Sequence, residues 1–272
     1  MTSDSVDTDL AGRLDYPGYL EIERLLDIQH PVSDSHDEML FIIIHQASEL
    51  WIKLALHELG AARQCIARDD LGPSFKMFSR FSRIQAQLIQ SWDVLSTLTP
   101  SEYLAFRDKL GPASGFQSHQ YRMLEFMLGN RSEKKLAVFR HRPEIHAALR
   151  AELSKRTLHD EALALLHRRG FELPARVLER DLTTTYRADD AVAAVWRAIY
   201  ADTGRYWDLY ELAEKLVDVE DWFRQWRFRH LTTVERIIGM KRGTGGTEGV
   251  GYLRRALDIS LFPELWRLRT EL

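Results

Sequence analysis

The sequence has a single cysteine, Cys65, among its 272 residues, so no disulfide can form within the chain. A lone cysteine is typical of proteins in a reducing compartment. Strong charge is also missing, and a formal net charge of −3 does not by itself point to nucleic acid. Long apolar runs are absent, because the longest, residues 39–44, is far shorter than the ~20 residues of a membrane span. With no visible secretory signal at the polar, acidic N-terminus, we predict a cytoplasmic protein that binds neither nucleic acid nor membrane.

Several common catalytic motifs are missing as well. The segment GTGGTEGVG, residues 243–251, matches neither the P-loop nor the dinucleotide-binding pattern, and it follows a predicted helix instead of a strand. The chain contains no HExxH and no Glu-x-x-His pair, which argues against a zincin site and a carboxylate-bridged di-iron site. Cys65 has no neighbouring basic cluster that would mark it as a nucleophile.

Segments with clean apolar–polar alternation are also lacking, so no strand is predicted. Apolar residues recur instead at steps of three and four, which keeps them on one face of a helix. We predict an all-α fold, a bundle built on several long helices, as a single domain over residues 1–272. Residues 1–12 are expected to form a disordered tail, and residues 131–185 a smaller helical appendage.

Helix starts are marked by capping residues and prolines. Ser35 and Glu38 read as a capping box that opens one long helix. A second long helix is expected after Pro73, with a buried apolar row made of Phe78, Phe81, Ile84, Leu88, Trp92 and Leu95. Thr99 is the predicted N-cap of a third, with Pro100 at its first position.

The stretch Tyr206–Gly251 combines a long amphipathic helix with a glycine-rich loop. His230 interrupts the apolar row of this helix, so its imidazole should face the buried side. A helix cannot comfortably continue through the GTGGT that follows. The apolar residues of the row are Leu209, Leu212, Leu216, Val219, Phe223, Trp226, Val234 and Ile237.

His45 is a second histidine on a buried face, since it lies four residues after Phe41 in the run LFIIIH. For a lone residue the commoner role is a core histidine hydrogen-bonded to a carbonyl or carboxylate. The alternative is an aromatic cavity in which one imidazole holds a metal or haem. A solitary histidine suits haem better than zinc, because the porphyrin supplies four nitrogen ligands.

Tyr103 and Arg107 share a helix face at positions i and i+4, and a guanidinium beside a phenol is a good carboxylate receptor. A solvated arginine packed on a tyrosine is the commoner arrangement. Thr244, in the GTGGT loop, offers a hydroxyl and an amide to a ligand, and the glycines around it permit close backbone approach. The same loop could simply terminate a helix.

The segments YPGYL, HDEMLFIIIHQASELWIKL, SEYLAFR, SGFQSHQYR, WRFRHLTTVERIIGMKRGTGGTEGVGYL and FPEL together resemble the bacterial type of tryptophan 2,3-dioxygenase. The resemblance runs from about Gly12 to Arg269 and is weakest over residues 131–200. It implies an all-helical enzyme with a haem pocket that contains haem b, ferrous in the active form. The implied reaction inserts both atoms of O₂ into L-tryptophan, cleaves the indole C2–C3 bond and yields N-formyl-L-kynurenine.

The resemblance also assigns residues around the haem. His230, in FRHL, corresponds to the proximal iron ligand. His45, in FIIIHQ, corresponds to the distal residue that accepts the indole N–H and thereby acts in catalysis, and Phe41 is expected to pack on the substrate ring.

The remaining substrate contacts follow from the same resemblance. Tyr103 and Arg107 correspond to the residues that hold the substrate carboxylate, and Thr244 to the residue that binds the ammonium group. The family is homotetrameric, and its N-terminal segment reaches a neighbouring subunit, so Tyr16 and Tyr19 are expected to line that subunit's pocket. Closure of the glycine-rich loop over the substrate is a further hypothesis.

Three other functions are compatible with parts of this pattern. A haem dioxygenase for another indoleamine would share most of the residues, although Tyr103, Arg107 and Thr244 favour a free amino acid. A non-enzymatic haem-binding sensor or carrier would need His230 but not these three. A helical scaffold would need both histidines only for packing.

Overall fold

The computed structural model describes residues 9–246 and 248–272, and residues 1–8 of the predicted tail lie outside this range. Within the described residues the chain forms thirteen α-helices and no strand, which confirms the all-α prediction. The helices are α1 (Tyr16–Leu20), α2 (Ile22–Leu26), α3 (Glu38–Ala67), α4 (Leu71–Leu95), α5 (Pro100–Arg107), α6 (His119–Leu128), α7 (Pro143–Leu153), α8 (Leu158–Arg168), α9 (Ala175–Leu178), α10 (Asp190–Ala201), α11 (Trp207–Ile238), α12 (Val250–Leu257) and α13 (Pro263–Glu271). Short 3₁₀ segments cover Asp108–Leu110, Gly115–Gln117 and Glu133–Phe139.

Three long helices form the centre of the molecule. α4 packs along α3 on one side and along α11 on the other. The apolar rows that predicted these helices are the surfaces that meet, because burying them is the main favourable term in folding. On α4 the buried residues include Phe78, Phe81, Ile84, Leu88, Trp92 and Leu95, and on α11 they include Leu209, Leu212, Leu216, Val219, Phe223 and Trp226.

The predicted helix starts agree with the structure in one case and differ in another. Thr99 is the N-cap of α5, as predicted, and it also forms a capping box with Glu102. The capping box between Ser35 and Glu38 is wrong. Glu38 is buried at the first position of α3, and its carboxylate accepts hydrogen bonds from the amides of Val32 and Ser33 at 2.7 and 2.8 Å. The buried carboxylate thus accepts hydrogen bonds from amides of the preceding loop and not from the start of its own helix.

The second long helix, α4, begins at Leu71, so Pro73 lies inside its first turn and not before it. A proline is tolerated there because the first amides of a helix have no intrahelical acceptor.

The predicted appendage, residues 131–185, is divided between two cores. The 3₁₀ segment Glu133–Phe139 and α7 pack together in a small cluster. Its buried residues are Phe126, Leu136, Phe139, Leu149 and Leu153. α8 belongs to the main core instead, through Leu158, Leu163 and Leu166. The single domain over residues 1–272 stays a prediction.

One helix among the described residues, α3, is long and apolar enough to cross a membrane by length and composition alone. It packs against α4, α6 and α8, and it buries Ile52, Leu59 and Ile66 in the main core. The core helix of a soluble protein has the same properties.

His159 on α8 is buried, and within the described part of the chain neither ring nitrogen has a hydrogen-bond partner. Burial lowers the pKa of His159 below its usual value, although Glu264, whose Oε2 lies 3.6 Å from Nε2, partly opposes this. The unfolded chain takes up a proton at His159 near pH ~6.5, whereas the folded chain resists it. Its contribution to stability is therefore complete above about pH 6.5 and is lost as the pH falls towards the lower folded pKa.

We expect His159→Phe to reduce the slope of the free energy of unfolding against pH in this range, by up to ~1.4 kcal/mol per pH unit. A phenyl ring suits the site because Tyr186 and Phe262 already contact the imidazole edge-on, at 4.6 and 5.7 Å between ring centroids. Urea unfolding at about pH 7.5 and about pH 5.5 measures the slope. An identical slope in the wild type and the variant would contradict the prediction.

Candidate active site

Both histidines singled out in the sequence line one cavity. Its walls come from α3, α4, α5, α6, α11 and α12, together with the loop 111–118 and with Gly243, Thr244 and Gly249 of the loop after α11. His45 contributes from α3 and His230 from α11, and α4 lies between these two helices. Phe41, Tyr103 and Thr244 line the same cavity.

The imidazole of His45 has a defined orientation. Its Nδ1 lies 2.7 Å from the carbonyl oxygen of Phe41, one helical turn earlier. Because a carbonyl oxygen only accepts, this bond assigns the proton to Nδ1 and leaves Nε2 as an acceptor in the neutral ring. Burial lowers the pKa of His45, against the smaller opposing effects of the Phe41 bond and of Glu49, so the neutral ring predominates at neutral pH.

His230 is held by aromatic neighbours. Its ring stacks on Trp92 of α4, with centroids 4.4 Å apart and planes inclined by 7°. Trp226, one turn earlier on α11, lies at 5.7 Å. Burial, and to a smaller extent the facing charge of His45, lower the pKa of His230 to about 4. At neutral pH the ring is uncharged and keeps a lone pair for a metal.

The wall beside His45 is aromatic. The Phe41 ring lies 4.2 Å from the imidazole of His45, 5.5 Å from Phe106 and 5.9 Å from Tyr103. Burial raises the pKa of Tyr103, while the neighbouring cation of Arg107 and its hydrogen bond partly lower it. The phenol is therefore neutral, and its O–H is a donor next to a guanidinium.

Two loops meet at the edge of the cavity, and Arg107 and Thr244, both predicted to bind substrate, make hydrogen bonds there. Arg107 donates from Nη2 to the carbonyl of Arg242 at 2.6 Å, and its Nε is buried with no partner among the described residues. Thr244 donates its hydroxyl to the carbonyl of Ala113 at 2.5 Å. Thr244 thus joins the loop after α11 to the loop before α6, whereas Arg107 joins the end of α5 to the loop after α11 and is not among the residues that line the cavity.

Glycine at position 245 is required by this docking. A Cβ built on Gly245 would lie 2.7 Å from the Cβ of Ser114 and 3.0 Å from its Oγ. Real Cβ atoms do not approach other atoms this closely, so the two loop backbones would have to move apart.

We expect Gly245→Ala to displace the loop and to increase the rate of tryptic cleavage after Lys241 and Arg242. Limited proteolysis followed by mass spectrometry measures the rate. Ser114→Gly removes the opposing Cβ, so the double variant should recover much of the wild-type resistance. If Gly245→Ala cleaves at the wild-type rate, the two loops are not docked in solution as described.

A buried ionic cluster behind the cavity was not predicted from the sequence. The carboxylate of Glu125 accepts hydrogen bonds from Tyr121 and Asn130, at 3.3 and 2.6 Å. It also pairs with Arg122 on its own helix, with Lys135 at 3.3 Å and with Arg227 of α11 at 3.4 Å.

Three cations therefore surround one carboxylate. Burial alone would raise the pKa of Glu125, but Arg122, Lys135 and Arg227 hold it below the usual range. Burial lowers the pKa of Lys135 to about 8, whereas a guanidinium keeps its proton in proteins. Arg122 and Arg227 line the cavity, as does Glu49, so two guanidinium groups belong to its wall. The only signal in the sequence was a pair of charges, Arg122 and Glu125, inside an apolar helix.

Tyr16 and Tyr19 do not line the cavity. They lie on α1, and 73% and 70% of their surfaces are exposed. Within the described chain they cannot contact a ligand between His45 and His230, so their predicted role requires another subunit.

The sequence model of the family described as tryptophan 2,3-dioxygenase matches residues 2–156 and 139–272 of this chain. A tryptophan 2,3-dioxygenase of Bradyrhizobium sp. (strain ORS 278) is 60% identical over 261 residues, covering 96% of this chain and 94% of the relative. The chain belongs to the tryptophan 2,3-dioxygenase family. Relatives of the same name in Bacillus cereus and Bacillus anthracis are 56% and 55% identical over 267 residues, each covering 98% of this chain and 96% of the relative.

Membership in the tryptophan 2,3-dioxygenase family confirms the resemblance inferred from the motifs. It also confirms that the chain is an enzyme, an oxidoreductase of the dioxygenase type that oxidises tryptophan. The roles of the individual residues in this family member remain predictions, and the geometry of the cavity supplies the arguments for them.

Proposed function

We propose that this dioxygenase uses haem b to insert both atoms of O₂ into the indole ring of L-tryptophan, breaking C2–C3 and forming N-formyl-L-kynurenine. The observation that carries the proposal is the pairing of two neutral histidines in one apolar cavity, with the Tyr103 phenol in its wall and the Arg107 guanidinium bonded to the loop at its edge. One histidine suits a metal and the other suits the substrate.

The residues around the cavity fit haem b. No group of three or more histidine, cysteine or carboxylate side chains that could hold a bare metal ion occurs in residues 9–246 and 248–272, so a macrocycle that brings its own ligands suits the site. The guanidinium groups of Arg122 and Arg227 in the wall suit the carboxylates that haem b carries. Trp92 Nε1 and Thr233 Oγ1 are buried polar atoms of the wall with no partner among the described residues.

His230 would hold the haem iron, because its lowered pKa leaves the ring neutral with a free lone pair at neutral pH. Haem, when bound, would supply the binding and activation of O₂, a chemistry that no side chain of this chain offers. The contribution of the protein is then to orient the substrate and to exclude water.

His45 would orient the indole. With its Nδ1 proton donated to the Phe41 carbonyl, the ring presents Nε2 as the acceptor for the indole N–H. Indole N–H is very weakly acidic, so a hydrogen bond that positions the ring is sufficient and full proton abstraction is not required. Phe41 offers an aromatic face beside it for the substrate ring.

Arg107 and Tyr103 would bind the substrate carboxylate. Arg107 uses one nitrogen for the Arg242 carbonyl and retains further donors, including the buried Nε. Thr244 donates its hydroxyl hydrogen to the Ala113 carbonyl, so its hydroxyl oxygen remains an acceptor for the substrate ammonium. Contacts to both charged groups would select a free amino acid over tryptamine or a peptide.

The quaternary structure belongs to the same proposal. We propose a homotetramer in the cytoplasm, in which the segment that carries Tyr16 and Tyr19 reaches the cavity of a neighbouring subunit. Their exposure supports this, as does an apolar stripe on α3 that the described chain leaves uncovered. The stripe consists of Met39, Ile43, Leu50 and Leu54, with exposed fractions of 38%, 47%, 51% and 40%.

The test is to titrate the purified chain with haemin, reduce it, and assay turnover of L-tryptophan, D-tryptophan and tryptamine under O₂. A Soret band together with turnover of L-tryptophan to N-formylkynurenine supports the proposal. A Soret band without turnover would favour a haem sensor or carrier, and equal turnover of tryptamine would favour a dioxygenase for another indoleamine. No Soret band would overturn the haem assignment.

A further inference from the structure

The contact between Trp92 and His230 is the best-aligned aromatic stack in the described chain. The planes are inclined by only 7° at a centroid distance of 4.4 Å, closer to parallel than the other ring pairs of the cavity. Trp92 is 8% exposed and lies in the buried row of α4 between Leu88 and Leu95. Its indole therefore covers one face of the imidazole and has little room to move.

Polar contacts on either side fix the register of the two helices at this stack. Arg229, next to His230, pairs with Asp93, next to Trp92, at 2.8 Å between Nε and Oδ1. Less than two turns further on, Arg236 donates from Nε to the carbonyl of Ser96 at 3.0 Å. A slip of α4 against α11 would break both contacts and separate the rings.

Histidines that bind metals usually donate their second ring nitrogen to a carboxylate, a carbonyl or water, which holds the ring in place. In the described part of the chain, no residue makes such a hydrogen bond to His230. The aromatic stack is thus the contact that holds the ring.

We infer that Trp92 is a positioning residue for His230: it sets the orientation of the imidazole plane and stabilises the iron-bound ring. The inference rests on the proposed haem site. An imidazole bound to iron carries partial positive charge, and the electron-rich face of an indole attracts it, more strongly for the ferric than for the ferrous metal.

Replacing the indole should therefore have graded effects. Trp92→Phe keeps an aromatic face but loses the pyrrole ring with its N–H, so it should stay closer to the wild type than a variant with no aromatic ring. Trp92→Leu removes the face, so we expect haem to dissociate about 2- to 10-fold faster, the range expected for loss of one aromatic pair. The iron–histidine stretching band should shift or broaden in Trp92→Leu. The reduction potential of the haem in this variant should rise, because the ferric form loses more stabilisation than the ferrous form.

Trp196 provides the matched control. It is fully buried on α10, its Nε1 also lacks a partner among the described residues, and it does not line the cavity. Trp196→Phe and Trp196→Leu should lower thermal stability without moving the iron–histidine band or the potential.

The experiment loads each variant with haemin and measures the resonance Raman band, the potential and the rate of haem transfer to an acceptor protein. In the haem-free proteins, NMR measures the ring-proton shifts of His230, which a stacked indole moves upfield. The inference predicts that Trp92→Leu changes all four readouts and that Trp92→Phe restores them in large part.

An unchanged Raman band and potential in folded, haem-loaded Trp92→Leu would overturn the inference and leave the proposed function intact. Equal shifts in Trp196→Leu would also overturn it, since a general loss of packing would then explain them. Failure of the wild type to take up haem would instead overturn the proposed function, and this inference with it.

Discussion

Replacing His230 with alanine is expected to abolish stable haem binding and to lower turnover of L-tryptophan by more than about 100-fold, since even a ligand's hydrogen-bond partner is worth 10–100-fold in metal affinity. His230 is the cavity imidazole that stacks on Trp92, and the described residues include no group of three or more histidine, cysteine or carboxylate side chains that could hold a metal instead. Soret absorbance during a haemin titration and the rate of product formation measure the two effects.

Rescue by free imidazole separates loss of a ligand from loss of the fold. Alanine leaves a space beside Trp92 into which imidazole can bind, so added imidazole should restore part of the haem binding and part of the activity. His57→Ala, on the exposed side of α3, should behave as the wild type. A Soret band and activity that persist unchanged in His230→Ala would overturn the proximal assignment.

Arg107→Met is the second large effect, an expected loss of about 100- to 1000-fold in kcat/KM for L-tryptophan with an unchanged haem spectrum. The range corresponds to removing one partner of a desolvated, charge-assisted pair. Steady-state assays measure it. Arg107→Lys should recover only part of the loss, because an ammonium cannot reproduce the paired donors of a guanidinium.

Tryptamine distinguishes a carboxylate contact from a structural role. Arg107 also holds the Arg242 carbonyl, so its loss could act by loosening the loop. If Arg107 binds the carboxylate, tryptamine, which lacks one, should be turned over equally slowly by the wild type and by Arg107→Met. A comparable loss with both substrates, accompanied by faster tryptic cleavage after Lys241 and Arg242, would assign Arg107 to loop docking instead.

Much of the fold was predictable because helix periodicity is a local property of the chain. The rows on α4 and α11 predicted which faces are buried, and Thr99 with Pro100 predicted the start of α5. Local patterns failed at Glu38, whose carboxylate turns to the amides of the preceding loop. The residue types allowed either arrangement, and the burial of the loop against α3 decided between them.

The candidate site was predictable only in part, and the residues of the ionic cluster show why. Glu125 on α6 pairs with Arg227 on α11, and the spacing of residues in the sequence does not predict a contact between two helices. Trp92 was assigned to the core from its position in the α4 row, which is correct. That its indole lies flat against His230 depends on the register of α4 against α11, which the ion pair of Asp93 with Arg229 helps to set.

The sequence alone determined that this chain is helical, that His45 and His230 lie on buried faces, and that its motifs are those of the tryptophan 2,3-dioxygenase family. Tertiary structure decided that both histidines line one cavity, that Trp92 covers His230, and that Thr244 returns to the edge of that cavity through the Ala113 carbonyl. The physical reason is the range of the interactions. Periodicity and capping act within a few residues, whereas stacks, buried ion pairs and loop docking join segments that only packing brings together.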